Sequence, residues 1–142
     1  MATQNAIAYF YGGSHLREVA WYALRTSPFP TTGVQCTSSG VCIVRFSLPM
    51  PGREQTWLSN VIARFPDTQL FLEAYARWAP FYAIGRAHDR LLVWTFVYDP
   101  WEMTAAELGV PLLLRDVVDE RLRAFSSALS NGCVPANMPR EI

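Results

Sequence analysis

The run Leu91 to Tyr98 (LLVWTFVY) constrains this chain more than any other stretch. Side chains of a strand point alternately to its two faces. One face here carries Leu92, Trp94, Phe96 and Tyr98, and the other Leu91, Val93, Thr95 and Val97. A strand covered on one side only alternates apolar with polar residues, and this one does not. Either it is central and covered on both faces, or one face is kept for another chain. Phe81 onward supplies a partner strand, and the polar turn Ala87-His88-Asp89-Arg90 joins the two into a hairpin.

The remaining elements follow from local signals. Ala6 to Tyr11 is short, aromatic-rich and stopped by Gly12-Gly13, which predicts a strand. Ser14 stands where a helix N-cap is expected. Behind it Leu16, Val19, Ala20, Ala23 and Leu24 recur at helical spacing, with Trp21 and Tyr22 off that stripe, until Pro28 and Pro30 end the pattern. Val34 to Thr37 and Val41 to Leu48, joined by Ser38-Ser39-Gly40, predict a hairpin with glycine in the left-handed position. That register sets Cys36 opposite Cys42.

Trp57, Leu58, Val61, Ile62 and Phe65 predict a helix. Leu70, Phe71, Ala74, Tyr75 and Trp78 predict another, although Gln69 to Tyr75 also fits a strand. After the central hairpin, Thr104 and Glu107 form a capping-box pattern that Gly109 interrupts. Pro111 then suits the first turn of a last helix, striped by Leu114, Val117, Val118, Leu122, Phe125 and Leu129, with Arg115, Asp116, Asp119, Glu120 and Arg123 on its wet side. Asn131-Gly132 closes it. The expected order is β-α-β-β-α-α-β-β-α: a single α+β domain over 1–132, a mostly antiparallel sheet of about five strands with helices packed on it, and a flexible tail over 133–142.

Composition narrows function by exclusion. The twelve basic and twelve acidic residues cancel, and no basic run occurs, so no field steers the chain to nucleic acid or to an anionic membrane. All the basic residues are Arg. Without a lysine, Schiff-base, lysine-nucleophile and Walker-type phosphate chemistries are excluded. The plain reading of that bias is a GC-rich genome or a virus or phage of such a host; the sharper one is selection against ubiquitination. No apolar run approaches the roughly 20 residues of a membrane span, and the opening residues lack a signal-peptide layout, so a cytoplasmic location is expected.

Four constellations could carry chemistry, and each has a plainer reading. Gly12-Gly13-Ser14-His15 could hold a phosphate or carboxylate at a helix N-terminus, or be simply a turn and a cap. His88-Asp89 could orient a general base, or be a solvated turn. Cys36 and Cys42 read as two small buried hydrophobes in a reducing compartment, with a cross-strand disulfide as the alternative in an exported chain. Asp99 and Glu102 flank Pro100-Trp101 and read as turn chemistry; Trp101 is either a staple onto the last helix or an exposed anchor. No metal-ligand spacing and no cofactor grip is present.

The sequence therefore favours binding over catalysis. The element order after residue 14 resembles that of small type III secretion chaperones, although the leading strand, the second central helix and the neutral charge depart from their pattern. The expected function is a protein-interaction module of chaperone, immunity or phage/viral inhibitor type. Trp21, Tyr22, Trp94, Phe96, Tyr98 and Trp101 are its candidate contact residues, and the partner is another protein or a second copy of the chain. The alternative is a small enzyme or ligand-binding protein that holds a phosphate-bearing ligand at Gly12, Gly13, Ser14 and His15.

Overall fold

The computed structural model describes residues 4–50, 52–76, 81–88 and 91–130. Among them lie six strands and three α-helices: β1 (Gln4–Tyr11), α1 (Leu16–Thr26), β2 (Thr31–Cys36), β3 (Val41–Leu48), α2 (Gln55–Arg64), β4 (Gln69–Ala76), β5 (Phe81–His88), β6 (Leu91–Phe96) and α3 (Arg115–Ser130). The strands form one sheet in the order β2-β3-β1-β4-β5-β6. Every ladder with a described register is antiparallel. This is the expected α+β class with an antiparallel sheet.

One element differs. Residues 69–76 form strand β4, where the apolar spacing predicted a second central helix and a strand was the alternative. Apolar residues at 70, 71, 74 and 75 fit either period, and Glu73 sits among them. The Glu73 side chain is buried in the sheet, where the Tyr9 hydroxyl donates to its Oε1 at 2.8 Å. A buried carboxylate is tolerated only with such a partner. The tail at 133–142 and the Asn131-Gly132 cap lie outside the described residues.

By internal packing the chain divides into two compact units, Met1–Tyr75 with Ala83–Phe96, and Ala76–Tyr82 with Val97–Ile142. In the first, residues paired across antiparallel strands share a face. Ala6, Ala8 and Phe10 therefore lie beside Phe46, Val44 and Cys42 on one side and Ala74, Leu72 and Leu70 on the other. Helix α1 packs over β3, β2 and β1 and against α2. It buries Val19, Ala20 and Ala23, and α2 buries Trp57, Leu58 and Val61. Phe29, Phe46 and Trp57 form an aromatic cluster with centroids 5.0–5.9 Å apart. The Trp57 Nε1–H donates to the Ala23 carbonyl at 3.1 Å, so the indole fills the core without an orphaned donor. On the opposite face Ile7, Tyr9, Ile43, Phe71 and Ile84 are also buried.

The second unit holds two short 3-10 turns, Pro100–Glu102 and Leu112–Leu114, and α3. The expected capping box forms: Glu107 Oε1 accepts from the Thr104 N–H at 3.0 Å, and Thr104 Oγ1 accepts from the Glu107 N–H at 3.2 Å. It closes turns rather than a helix, because Gly109 takes a left-handed φ of 70° at once. Asp119 has a role the helical pattern did not show. Its Oδ1 accepts from the Ala105 N–H at 2.7 Å and fixes that turn to α3. Leu114, Val118 and Leu122 are buried as the stripe predicts, whereas Val117 is exposed.

Candidate binding surfaces

Strand β6 is an edge strand, not a central one. Its two faces meet different fates. Leu92 is buried and Trp94 half-buried on the side of α2. The Trp94 Nε1–H donates to Glu54 Oε2 at 3.0 Å, and Glu54 Oε1 accepts from the Gly52 N–H at 2.8 Å. Glu54 is 0% exposed, so water does not compete for this carboxylate. Next to it, Gln55 Oε1 accepts from the Leu92 N–H at 3.0 Å and satisfies a donor that an edge strand would otherwise present outward. Room for the indole comes from Gly85, paired with Trp94, where an added Cβ would lie 3.0 Å from Leu72 Cβ and 3.2 Å from Trp94 Cδ2.

The other face of β6 is open. Leu91 is 56% exposed and Val93 47%, side by side two residues apart. Across from Val93 lies Arg86 of β5, also exposed. At the strand's end Phe96, on the Trp94 face, is 55% exposed. Tyr11, at the end of β1, has a phenol whose pKa burial pushes up, with the Arg86 charge acting in the opposite direction.

The aromatic residues expected to bind a partner divide into two groups. Trp21 on α1 is 63% exposed, and Tyr98 in the second unit is 87% exposed. Tyr22 is half-buried, edge-on to Phe65 with centroids 5.8 Å apart, and the Arg64 guanidinium sits 5.1 Å over its ring. Trp94 is engaged by Glu54 as described, and Trp101 is half-buried in its 3-10 turn. Trp21 and β6 do not form one patch: α1 covers β2, β3 and β1, and β6 is the far edge of the sheet. Leu91 and Val93 were not among the expected contact residues, because the pattern of β6 does not say which of its faces is covered; Phe96 and Tyr98, which were, are exposed as well.

A second feature is an open groove of about 610 Å³, lined by Gly13 to Glu18 and by residues of the β2–β3 turn, Cys36 and Cys42 among them. The hairpin has the expected register, with Gly40 at φ 88° and the Thr37 N–H donating to the Val41 carbonyl. Cys36 and Cys42 are joined by a disulfide, with 4.0 Å between their Cα atoms. This corrects the reading of two buried thiols, since Cys36 on the edge strand is exposed and only Cys42 is buried.

Gly12 adopts φ 86°, and an added Cβ at Gly13 would lie 2.6 Å from the Thr68 hydroxyl oxygen. This close approach gives the second glycine a packing role. The helix starts a residue later than expected: the N-cap position is His15, not Ser14, and its side chain makes no cap hydrogen bond. His15 Nδ1 lies 3.8 Å from Glu18 Oε1, and both side chains are exposed.

The general-base candidate largely escapes view. His88 ends β5, but its side chain, Asp89 and Arg90 lie outside the described residues. Asp99 is left-handed at φ 50° and accepts from the Glu102 N–H through its carbonyl at 3.0 Å, which is turn chemistry. Among the described residues, no group of three or more His, Cys, Asp or Glu could hold a metal, and no helix is long and apolar enough to cross a membrane. Comparison with protein-family models, with curated proteins and with solved structures finds no match.

Proposed function

We propose that this protein is a non-catalytic interaction module that binds a partner protein through the open face of β6. The observation that carries the reading is the asymmetry of that strand. Glu54 and Gln55 tie down the side of Leu92 and Trp94, while Leu91 and Val93 stay exposed together. Single exposed apolar residues are ordinary, but an uncovered pair on a pinned edge strand, with Arg86 beside it, has the layout of an apolar contact with a polar rim. A chaperone, an immunity protein and an inhibitor would each use such a face. A second copy of the chain would fit it as well.

Light scattering coupled to size exclusion tests this. The reading expects a dimer, or a complex with a copurifying chain, that Leu91→Glu with Val93→Glu dissolves. A monomer whose melting temperature rises with nucleotides or phosphate esters would instead support a phosphate-bearing ligand in the groove beside Gly13, Ser14 and His15. The uncapped first turn of α1 and the groove's volume favour that second reading.

A further inference from the structure

We propose that the Cys36–Cys42 disulfide is a thiol–disulfide exchange site, opened by a small thiol or a protein dithiol that enters the groove beside α1. The bridge joins directly opposed residues of β2 and β3 at an edge of the sheet. Its two ends are unlike. Cys36 is exposed on the edge strand, whereas Cys42 is 2% exposed on β3, next to Phe10 of β1. Both cysteines line the groove, so an incoming thiolate has space to approach, and the exposed end is the sulfur it reaches.

The exchange balances as two displacements. A thiolate forms a bond to Cys36 Sγ; the Cys36–Cys42 bond breaks, and its electron pair leaves on Cys42 Sγ, which takes up a proton. A second thiolate, from the same dithiol or another thiol molecule, attacks the reductant's sulfur in the mixed disulfide. Cys36 leaves as a thiolate and is protonated in turn. The reductant departs as a disulfide, having given two electrons and two protons to the protein.

The surroundings suit the thiolate that develops on the exposed Cys36 in the second displacement. Burial beside Phe10 disfavours one on Cys42, which takes up its proton as it leaves. The first turn of α1 has no side-chain cap, so its free N–H groups keep their partial positive charge, and Arg17 lines the same groove. Glu18, on the same first turn, opposes this. The residues between the cysteines, Thr37-Ser38-Ser39-Gly40-Val41, carry no charge that would repel an anionic thiol. Once the bridge opens, the backbone ladder between β2 and β3 and the packing of α1 over both strands remain.

The test uses the intact chain. It is incubated with reduced glutathione under native conditions, quenched by alkylation and mapped by peptide mass, which separates Cys36 and Cys42 from Cys133. Circular dichroism followed in parallel reports whether the fold persists. The expected result is opening of the bridge while the fold persists. In addition, Cys42→Ser should form a mixed disulfide at Cys36 with oxidised glutathione about tenfold faster than Cys36→Ser forms one at Cys42. A bridge that yields only as the chain unfolds, equal rates at the two cysteines, or a chain isolated with all three thiols free would each overturn the proposal.

Discussion

Replacing Trp94 by Phe tests how β6 is held. The substitution keeps most of the ring but removes the Nε1–H that donates to Glu54 Oε2 at 3.0 Å. Because Glu54 is fully buried, no water takes the donor's place, and the carboxylate keeps the Gly52 N–H. A hydrogen bond to a charged group contributes about 1.5–3 kcal/mol, and leaving a buried acceptor unmet costs a similar amount. Trp94→Phe should therefore destabilise the fold by about 2 kcal/mol. At this chain length that corresponds to a drop in melting temperature of about 4–8 °C. Urea titration of the wild type, Trp94→Phe, Glu54→Gln and the double variant completes a cycle. The expected coupling between the two residues is about 1 kcal/mol or more. A Trp94→Phe variant within about 0.5 kcal/mol of wild type, or additive effects in the cycle, would refute the argument that this bond pins the strand.

Other consequences follow from single contacts. Replacing Cys36 and Cys42 together by Ser opens a short closed loop spanning a sequence separation of 6 and should cost about 2 kcal/mol in a urea titration. Gly85→Ala places a Cβ 3.0 Å from Leu72 Cβ and 3.2 Å from the Trp94 ring, and should cost about 1–3 kcal/mol with a shift in tryptophan fluorescence. Tyr11 holds its phenolic proton more tightly in the fold than in the unfolded chain. Its contribution is therefore fully present below the unfolded pKa of about 10 and is lost as pH rises beyond it. Tyr11→Phe should flatten that alkaline fall in a series of urea titrations.

Local signals carried much of this fold. Ser38-Ser39-Gly40 placed the first hairpin and set Cys36 against Cys42, because a left-handed glycine fixes loop length and hence register. The stripe through Val19, Ala20 and Ala23 named the buried face of α1. What was not legible depended on partners distant in sequence. Leu70, Phe71, Ala74 and Tyr75 fit a helix or a strand alike, and only pairing with β1, distant in sequence, selects β4, with Tyr9 donating to the buried Glu73. Which face of β6 is covered was decided by Glu54 and Gln55, some 40 residues earlier in the chain. The disulfide could not be read from spacing alone, because opposed cysteines serve equally as small hydrophobes.

The uncovered pair Leu91 and Val93 is proposed as a contact surface for protein. Light scattering of the wild type beside Leu91→Glu/Val93→Glu measures it most directly. Both side chains are exposed, so the double variant should keep its circular dichroism spectrum and a stability within about 1 kcal/mol of wild type. The wild type should run as a dimer or a stable complex and the variant as a monomer. A wild type that is monomeric and partner-free, with a mass the two substitutions leave unchanged, would contradict it.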